Sequence, residues 1–205
     1  MKKIFMAIVA VLFAAPSFAQ YSSGGFSLSE SSVYYGMRLG LNVSSVTGDF
    51  KEVAGAKAGL NLGGVIGLRV SETTPIFLES GLYYTQRGGK KDKENYVNLN
   101  YLEIPILMKY GVQVSDDIAV LPFIGPTFAL GIAGQTKHEG EAKHSSYDDC
   151  NRADVGIKLG CGAEYNKLYL ELGYQFGITN VAKEVDNTSL SAHNGAFFVN
   201  IGMNF

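Results

Sequence analysis

Tryptophan is absent from the 205 residues, cysteine occurs twice and histidine three times. Two cysteines this far apart, Cys150 and Cys161, exclude a Cys-x-x-Cys redox or zinc motif, and neither a G-x-S-x-G elbow nor an H-E-x-x-H helix is present. Beyond residue 20, no segment reaches the roughly 18 apolar residues that a membrane-spanning helix needs. Positive charge is not in excess either. Without Lys2 and Lys3, the 17 basic residues become 15 against 19 acidic, a net charge of −4 that argues against a nucleic-acid partner.

What is present begins with a processing segment. In "MKKIFMAIVAVLFAAPSFAQ", Lys2 and Lys3 form a basic n-region, Ile4 to Ala15 an apolar core too short to span a bilayer, and Ser17-Phe18-Ala19 a small-x-small cleavage site. We expect a secretory signal peptide at 1–19, with no lipid anchor because no cysteine follows the site. A periplasmic N-terminal segment is expected at 20–33 and a barrel domain at 34–205. An oxidising compartment would permit a disulfide. Yet eleven extended positions separate the cysteines by about 36 Å, and a bridge holds its Cα atoms within about 7 Å, so free thiols are expected.

The mature chain alternates apolar and small or polar residues over eight segments: 34–43, 59–70, 76–86, 100–112, 118–134, 154–165, 168–178 and 196–205. In the first, Tyr35, Met37, Leu39, Leu41 and Val43 share a face opposite Gly36, Arg38, Gly40 and Asn42. Connections alternate strictly in length. Stretches 44–58, 87–99, 135–153 and 179–195 are long and polar, whereas "SETTP", "QVSDD" and "NK" are tight turns. This pattern predicts an all-β, eight-stranded antiparallel up-and-down transmembrane β-barrel with long extracellular loops and short periplasmic turns. It ends at Phe205, where the last strand would reach the periplasmic interface and pair with the first.

A soluble, lipocalin-like barrel would put the apolar face inward and the other face in water. That other face is largely glycine, including Gly36, Gly40, Gly63, Gly67, Gly160, Gly162 and Gly173, with about one charge per strand. It is far short of the quarter to a third charged residues expected of a wetted surface. Glycine suits a narrow lumen in which a few long side chains must fit. The lumen charges would be Arg38, Arg69, Lys109 and Lys158 against Glu79, Glu103, Glu164 and Glu171, a self-neutralising network. All but Glu103 and Lys158 fall toward the periplasmic half. Aromatic girdles are expected from Tyr34, Tyr110, Tyr165, Tyr169 and Phe205 at the turn ends, and from Tyr84, Tyr101, Tyr174, Phe176 and Phe197 at the loop ends.

Chemistry-bearing residues gather in the loops. His138, His144 and His193 lie there with Ser145, Ser146, Asp148, Asp149, Ser189 and Ser191 nearby, a composition that any polar loop would show. Glu139, Glu141, Asp148, Asp149 and Asp154 could bind a divalent cation but lack EF-hand spacing, and solvated loop acids are the expectation. In "RGGKKDKEN", Arg87, Lys90, Lys91 and Lys93 could touch lipid A phosphates. Pro105, Pro122 and Pro126 each remove a ladder donor between the fourth and fifth segments. Either a bulge accompanies each, or the seam there opens laterally to admit an acyl chain.

The pieces "GMRLGLNVSSVTGD", "GLYYTQRGGK", "YLEIPILMKYG", "ALGIAG", "DVGIKLGCGAEY" and "NIGMNF" resemble the PorT-like outer-membrane β-barrel family of Bacteroidetes-type bacteria. The resemblance implies an outer-membrane barrel, and Phe205 resembles the C-terminal signal read by the barrel assembly machinery. The expected function is an integral outer-membrane protein with a filled lumen and a structural or surface-interaction role, neither a general porin nor an enzyme and needing no cofactor. Its expected contacts are outer-membrane lipid, lipopolysaccharide and other envelope proteins, with the chain a monomer. The alternatives are an accessory component of a secretion or gliding apparatus, a lipid-modifying barrel enzyme and a periplasmic carrier.

Overall fold

Period-two alternation makes each segment a ribbon with one apolar face, and a ribbon with unpaired edges is stable only if those edges find partners. The computed structural model, which describes residues 33–48, 55–71, 73–90, 95–115, 117–137, 144–180 and 192–205, shows how they do. The strands are β1 (Val33–Gly48), β2 (Lys57–Arg69), β3 (Ile76–Lys90), β4 (Tyr96–Tyr110), β5 (Val112–Ser115), β6 (Ile118–Lys137), β7 (Ala153–Tyr165), β8 (Leu168–Gly177) and β9 (Ala192–Asn204). Gly111 separates β4 from the short β5, and the two together make one stave, so the sheet has eight. All pairings are antiparallel, β9 pairs with β1, and β4 with β6 completes the ring. Phe205 and Tyr35 exchange both backbone hydrogen bonds, at 3.0 and 2.7 Å.

The register sets the barrel's tilt. Paired residues run from Val33 through Leu68, Leu78, Met108, Ile124, Leu159, Tyr174 and Phe197, and return to β1 at Val43. The ring thus climbs ten residues in one circuit, a shear of 10 for eight staves. Such a barrel leaves an interior only wide enough for side chains or one small ligand. Of the tight turns, the shortest turns at Asn166, whose φ of 53° lies in the left-handed region that asparagine tolerates.

The apolar face points outward. Leu41 is 63% exposed and Leu130 56%, while Arg38 and Glu79, on the other face, are each 1% exposed. Glycine makes the inner packing possible. The Tyr34 ring lies where a Cβ on Gly67 would be, and Tyr83, Tyr169 and Tyr147 likewise cover Gly63, Gly162 and Gly131.

Three expectations are corrected. Tyr34, Tyr101 and Tyr169 are not girdle residues: each shares the parity of a lumen charge (Arg38, Glu103, Glu171) and is buried inside. The outward aromatics include Tyr110, Tyr165 and Phe205 at the turn ends, and Phe176 and Phe197 at the loop ends. Strands at the loop end run past the predicted limits: β3 reaches Lys90, β4 begins at Tyr96 and β6 ends at Lys137. Finally, the β4–β6 seam is paired from Tyr96↔Lys137 to Lys109↔Phe123, and Gly125 lies against the Ile106 carbonyl. Its one bulge is at Asn100/Tyr101 rather than at a proline, and pairing passes from Pro105↔Thr127 to Met108↔Ile124. Cys150 and Cys161 are not joined in a disulfide, as expected. The predicted leader, residues 20–32, Lys91, Lys93, His138, Glu139, Glu141, Ser189 and Ser191 lie outside the described residues, as do the side chains of Asp148 and Asp149.

Replacing Gly67 with alanine should force Tyr34 to move and lower stability by about 1–3 kcal/mol. Urea titration of the heat-modifiable gel band measures this, with Lys90→Ala, at an exposed site, expected within about 0.5 kcal/mol of the parent.

Candidate functional site: lumen and extracellular mouth

From turn end to loop end the lumen is a stack of layers. At the bottom Tyr34, Phe77, Ala119, Leu121 and Tyr169 pack together, with Tyr34 edge-on to Phe77 at 6.2 Å. Above them sits the first ionic cluster. Lys109 Nζ lies 2.8 Å from Glu79 Oε1 and 3.8 Å from Glu171 Oε2, and it donates to Tyr169 Oη at 2.8 Å. Arg38 lies 3.4 Å from Glu79, donates to Asn204 Oδ1 at 2.7 Å, and stacks 4.0 Å over the Tyr169 ring. Asn204 in turn donates to Glu164 at 2.6 Å, and Asn200 to Glu171 at 2.7 Å.

Leu107, Phe123 and Phe198 form the next layer, the two rings stacked 6.4 Å apart. The second ionic cluster lies above it. Lys158 Nζ is 2.7 Å from Glu103 Oε1, Arg87 pairs with Glu103, and Arg87 Nη1 is 3.2 Å from Asp154 Oδ2. Gln175 accepts from Arg87 at 2.9 Å and donates to Glu103 at 3.0 Å and Thr127 at 2.9 Å. Beside this cluster is a cavity of about 10 Å³ lined by Asn42, Asn61, Thr85, Arg87, Lys158 and Gln175, the space of about one water molecule.

At the loop end, the described part of the third long loop packs against β4 and β6. Its single helical turn, α1 (Ser146–Asp149), is capped by Ser145, whose hydroxyl accepts from the Tyr147 N–H at 3.3 Å. Ser146 Oγ donates to the Asn98 carbonyl at 2.8 Å, and Tyr147 Oη to the Asn100 carbonyl at 3.0 Å. Tyr147 packs edge-on to Tyr101 at 6.3 Å in a cluster with Leu99, Ala129 and Cys150. Burial, with the Cys150 thiol nearby, pushes the Tyr147 phenol well above its usual range, so it stays neutral.

Seven of the eight predicted lumen charges are buried within the two clusters. Arg69 is not; it sits half-buried at the turn-end rim, with Nε on the Ser71 carbonyl at 2.9 Å. Arg87 is also corrected: its guanidinium points inward, is buried, and is held by Glu103 and Asp154, so it cannot meet lipid phosphates. Asp154 is likewise a buried lumen acid rather than a solvated loop acid. With Arg87 and Asp154 included, the two buried clusters hold four bases, Arg38, Arg87, Lys109 and Lys158, against five acids, Glu79, Glu103, Asp154, Glu164 and Glu171, and Arg69 at the rim is the fifth base. Parity was the missed signal, since Arg87 continues the inward series Glu79, Gly81, Tyr83, Thr85.

Residues 18–183 match the outer membrane protein beta-barrel domain. The chain belongs to this family. No curated protein matches it. Among solved structures, Neisserial surface protein A is 15% identical with a TM-score of 0.52, over 85% of this chain and 98% of that one. The Yersinia pestis attachment invasion locus protein Ail is 12% identical, with a TM-score of 0.47 over 85% of this chain and 100% of its own. OprG of Pseudomonas aeruginosa is 10% identical, with a TM-score of 0.46 over 85% and 96%. The likeness to the Neisserial barrel is one of fold. Family and exterior together place this barrel in the outer membrane, its apolar wall against lipid.

Truncating one member of a buried ionic cluster strands the others. Glu103→Ala should therefore destabilise the folded barrel by about 3–5 kcal/mol, because it leaves Lys158 and Arg87 facing each other. Arg69→Ala at the rim should cost less than about 1 kcal/mol. Urea titration in lipid vesicles would distinguish these, and equal losses would contradict the layered arrangement.

Proposed function

We propose that this chain is a sealed, non-enzymatic outer-membrane barrel with a structural or surface-interaction role, and not a general porin. The observation that supports this best is the filling of the lumen: three packed apolar layers alternate with two ionic clusters, and the cavity beside the second cluster has room for about one water molecule. Among the described residues at the mouth, Ser146 and His193 are engaged structurally. The Ser146 hydroxyl also accepts from Thr136 Oγ1 at 2.8 Å, and His193 Nδ1 lies 3.1 Å from the Thr179 carbonyl. On this reading the deletion strain's lipid A mass spectrum is unchanged. We also place the chain among PorT-like members on the "YLEIPILMKYG" stretch, as a monomer delivered by the barrel assembly machinery through Phe205 and processed at Ala19. A secretion or gliding role would be recognised by co-purification with other envelope proteins.

In planar bilayers the refolded protein should give no steps of porin size, and liposomes carrying it should not swell in small sugars. A stable unitary conductance of porin size would contradict the sealed lumen.

A further inference from the structure

The outward face changes character abruptly where β3, β4 and β6 outrun their neighbours. The row Tyr84, Leu102, Leu130 is the last paired apolar one, with exposed Ile132 in the bulge just above it. The next row is Gln86, Asn100, Ala133; then come Asn98 and Gln135, and then Lys90, Tyr96 and Lys137. The bulge at Asn100/Tyr101 falls at this boundary and keeps Gln135, rather than Gly134, on the outer side. The hydrocarbon edge therefore lies between the Leu102 and Asn100 rows, and an amide- and tyrosine-bearing sheet rises directly above it.

Lysines stand at the top of this sheet. Lys90 is exposed there and Lys137 is half-buried in the same row, while Lys57 shares the inward parity of Gly59 and Asn61 and reaches the Arg87 carbonyl at 3.3 Å. Lys90 forms no ion pair with a described carboxylate. Because the face belongs to the barrel wall, it points sideways along the membrane plane, not up into the medium. Whatever covers it stands in the same leaflet, with acyl chains against Leu102 and Leu130 and its headgroup level with Asn98 and Asn100.

We propose that the outward face of the β3–β4–β6 extension is a docking surface for the phosphorylated saccharide headgroup of an outer-leaflet glycolipid. Lys90 faces the phosphate. The amides of Gln86, Asn98, Asn100 and Gln135 and the Tyr96 hydroxyl face sugar hydroxyls, which both donate and accept hydrogen bonds. A neutral phospholipid lacks the sugar, and phosphatidylglycerol supplies the charge without the ring. This inference deepens the lipid contact argued above and does not depend on the sealed lumen.

The test uses the full mature chain in nanodiscs of neutral phospholipid, titrated with bisphosphorylated lipid A, dephosphorylated lipid A and phosphatidylglycerol. Bisphosphorylated lipid A should bind most tightly. Lys90→Glu should weaken it about tenfold, the size of one charge-assisted contact, while leaving the dephosphorylated form unaffected. An Asn98→Leu/Asn100→Leu pair should weaken both forms, and Gln113→Leu at the periplasmic end neither. Heat-modifiable mobility confirms that each variant is folded. Equal affinity for phosphatidylglycerol, unchanged binding in both Lys90→Glu and the double variant, or self-association through this face would overturn the proposal. Any of these would leave the conductance result standing.

Discussion

Hydrocarbon outside the wall forces every polar group of the eight staves into the ladder or into the lumen. A membrane offers no water to a stranded N–H or carboxylate, so the sheet must close and its inner face must satisfy itself. Closure is visible where β9 meets β1 and Phe205 bonds to Tyr35. Self-satisfaction is visible in the lumen, where buried carboxylates and cations are shared among Arg38, Glu79, Lys109, Arg87, Glu103, Asp154 and Lys158.

Dividing the charges into two clusters follows from the narrow bore. Stacked Phe123 and Phe198 cross the lumen between them, and the cations lie against ring faces: Lys158 is 4.9 Å from the Phe198 ring and Lys109 5.3 Å from that of Phe123. Such contacts recover part of the solvation lost on burial. The rings fit because glycine stands opposite. Phe123 pairs with Gly160 and Phe198 with Gly173, just as Tyr83 pairs with Gly63. A glycine-rich inner face is thus the counterpart of bulky lumen side chains, as when an aromatic ring covers a glycine left bare in a strand.

The stave count, the outward face and most lumen charges could be read from alternation alone, because it runs unbroken through stretches such as Tyr35 to Val43. Arg87 and Asp154 were hidden for the complementary reason. Above the hydrocarbon the outward residues become polar, "RGGK" and "NRAD" look like loop, and the inward series continues unmarked. Parity places Tyr34, Tyr101 and Tyr169 inside, although tyrosine near a strand end is also the residue an interface favours. Which acid meets which base was not legible, because it depends on the ten-residue shear. The loop cap was not legible either, since Ser146 and Tyr147 bond to backbone carbonyls that any sequence would supply.

The absence of tryptophan makes the central claim directly measurable. Single tryptophans placed at the cross-strand pair Leu39 and Leu62, and at Leu170, should emit in the blue and be quenched by bromines on lipid acyl chains, while aqueous iodide leaves them unaffected. Quenching by iodide with no effect of the brominated lipid would put this face in water and contradict the account.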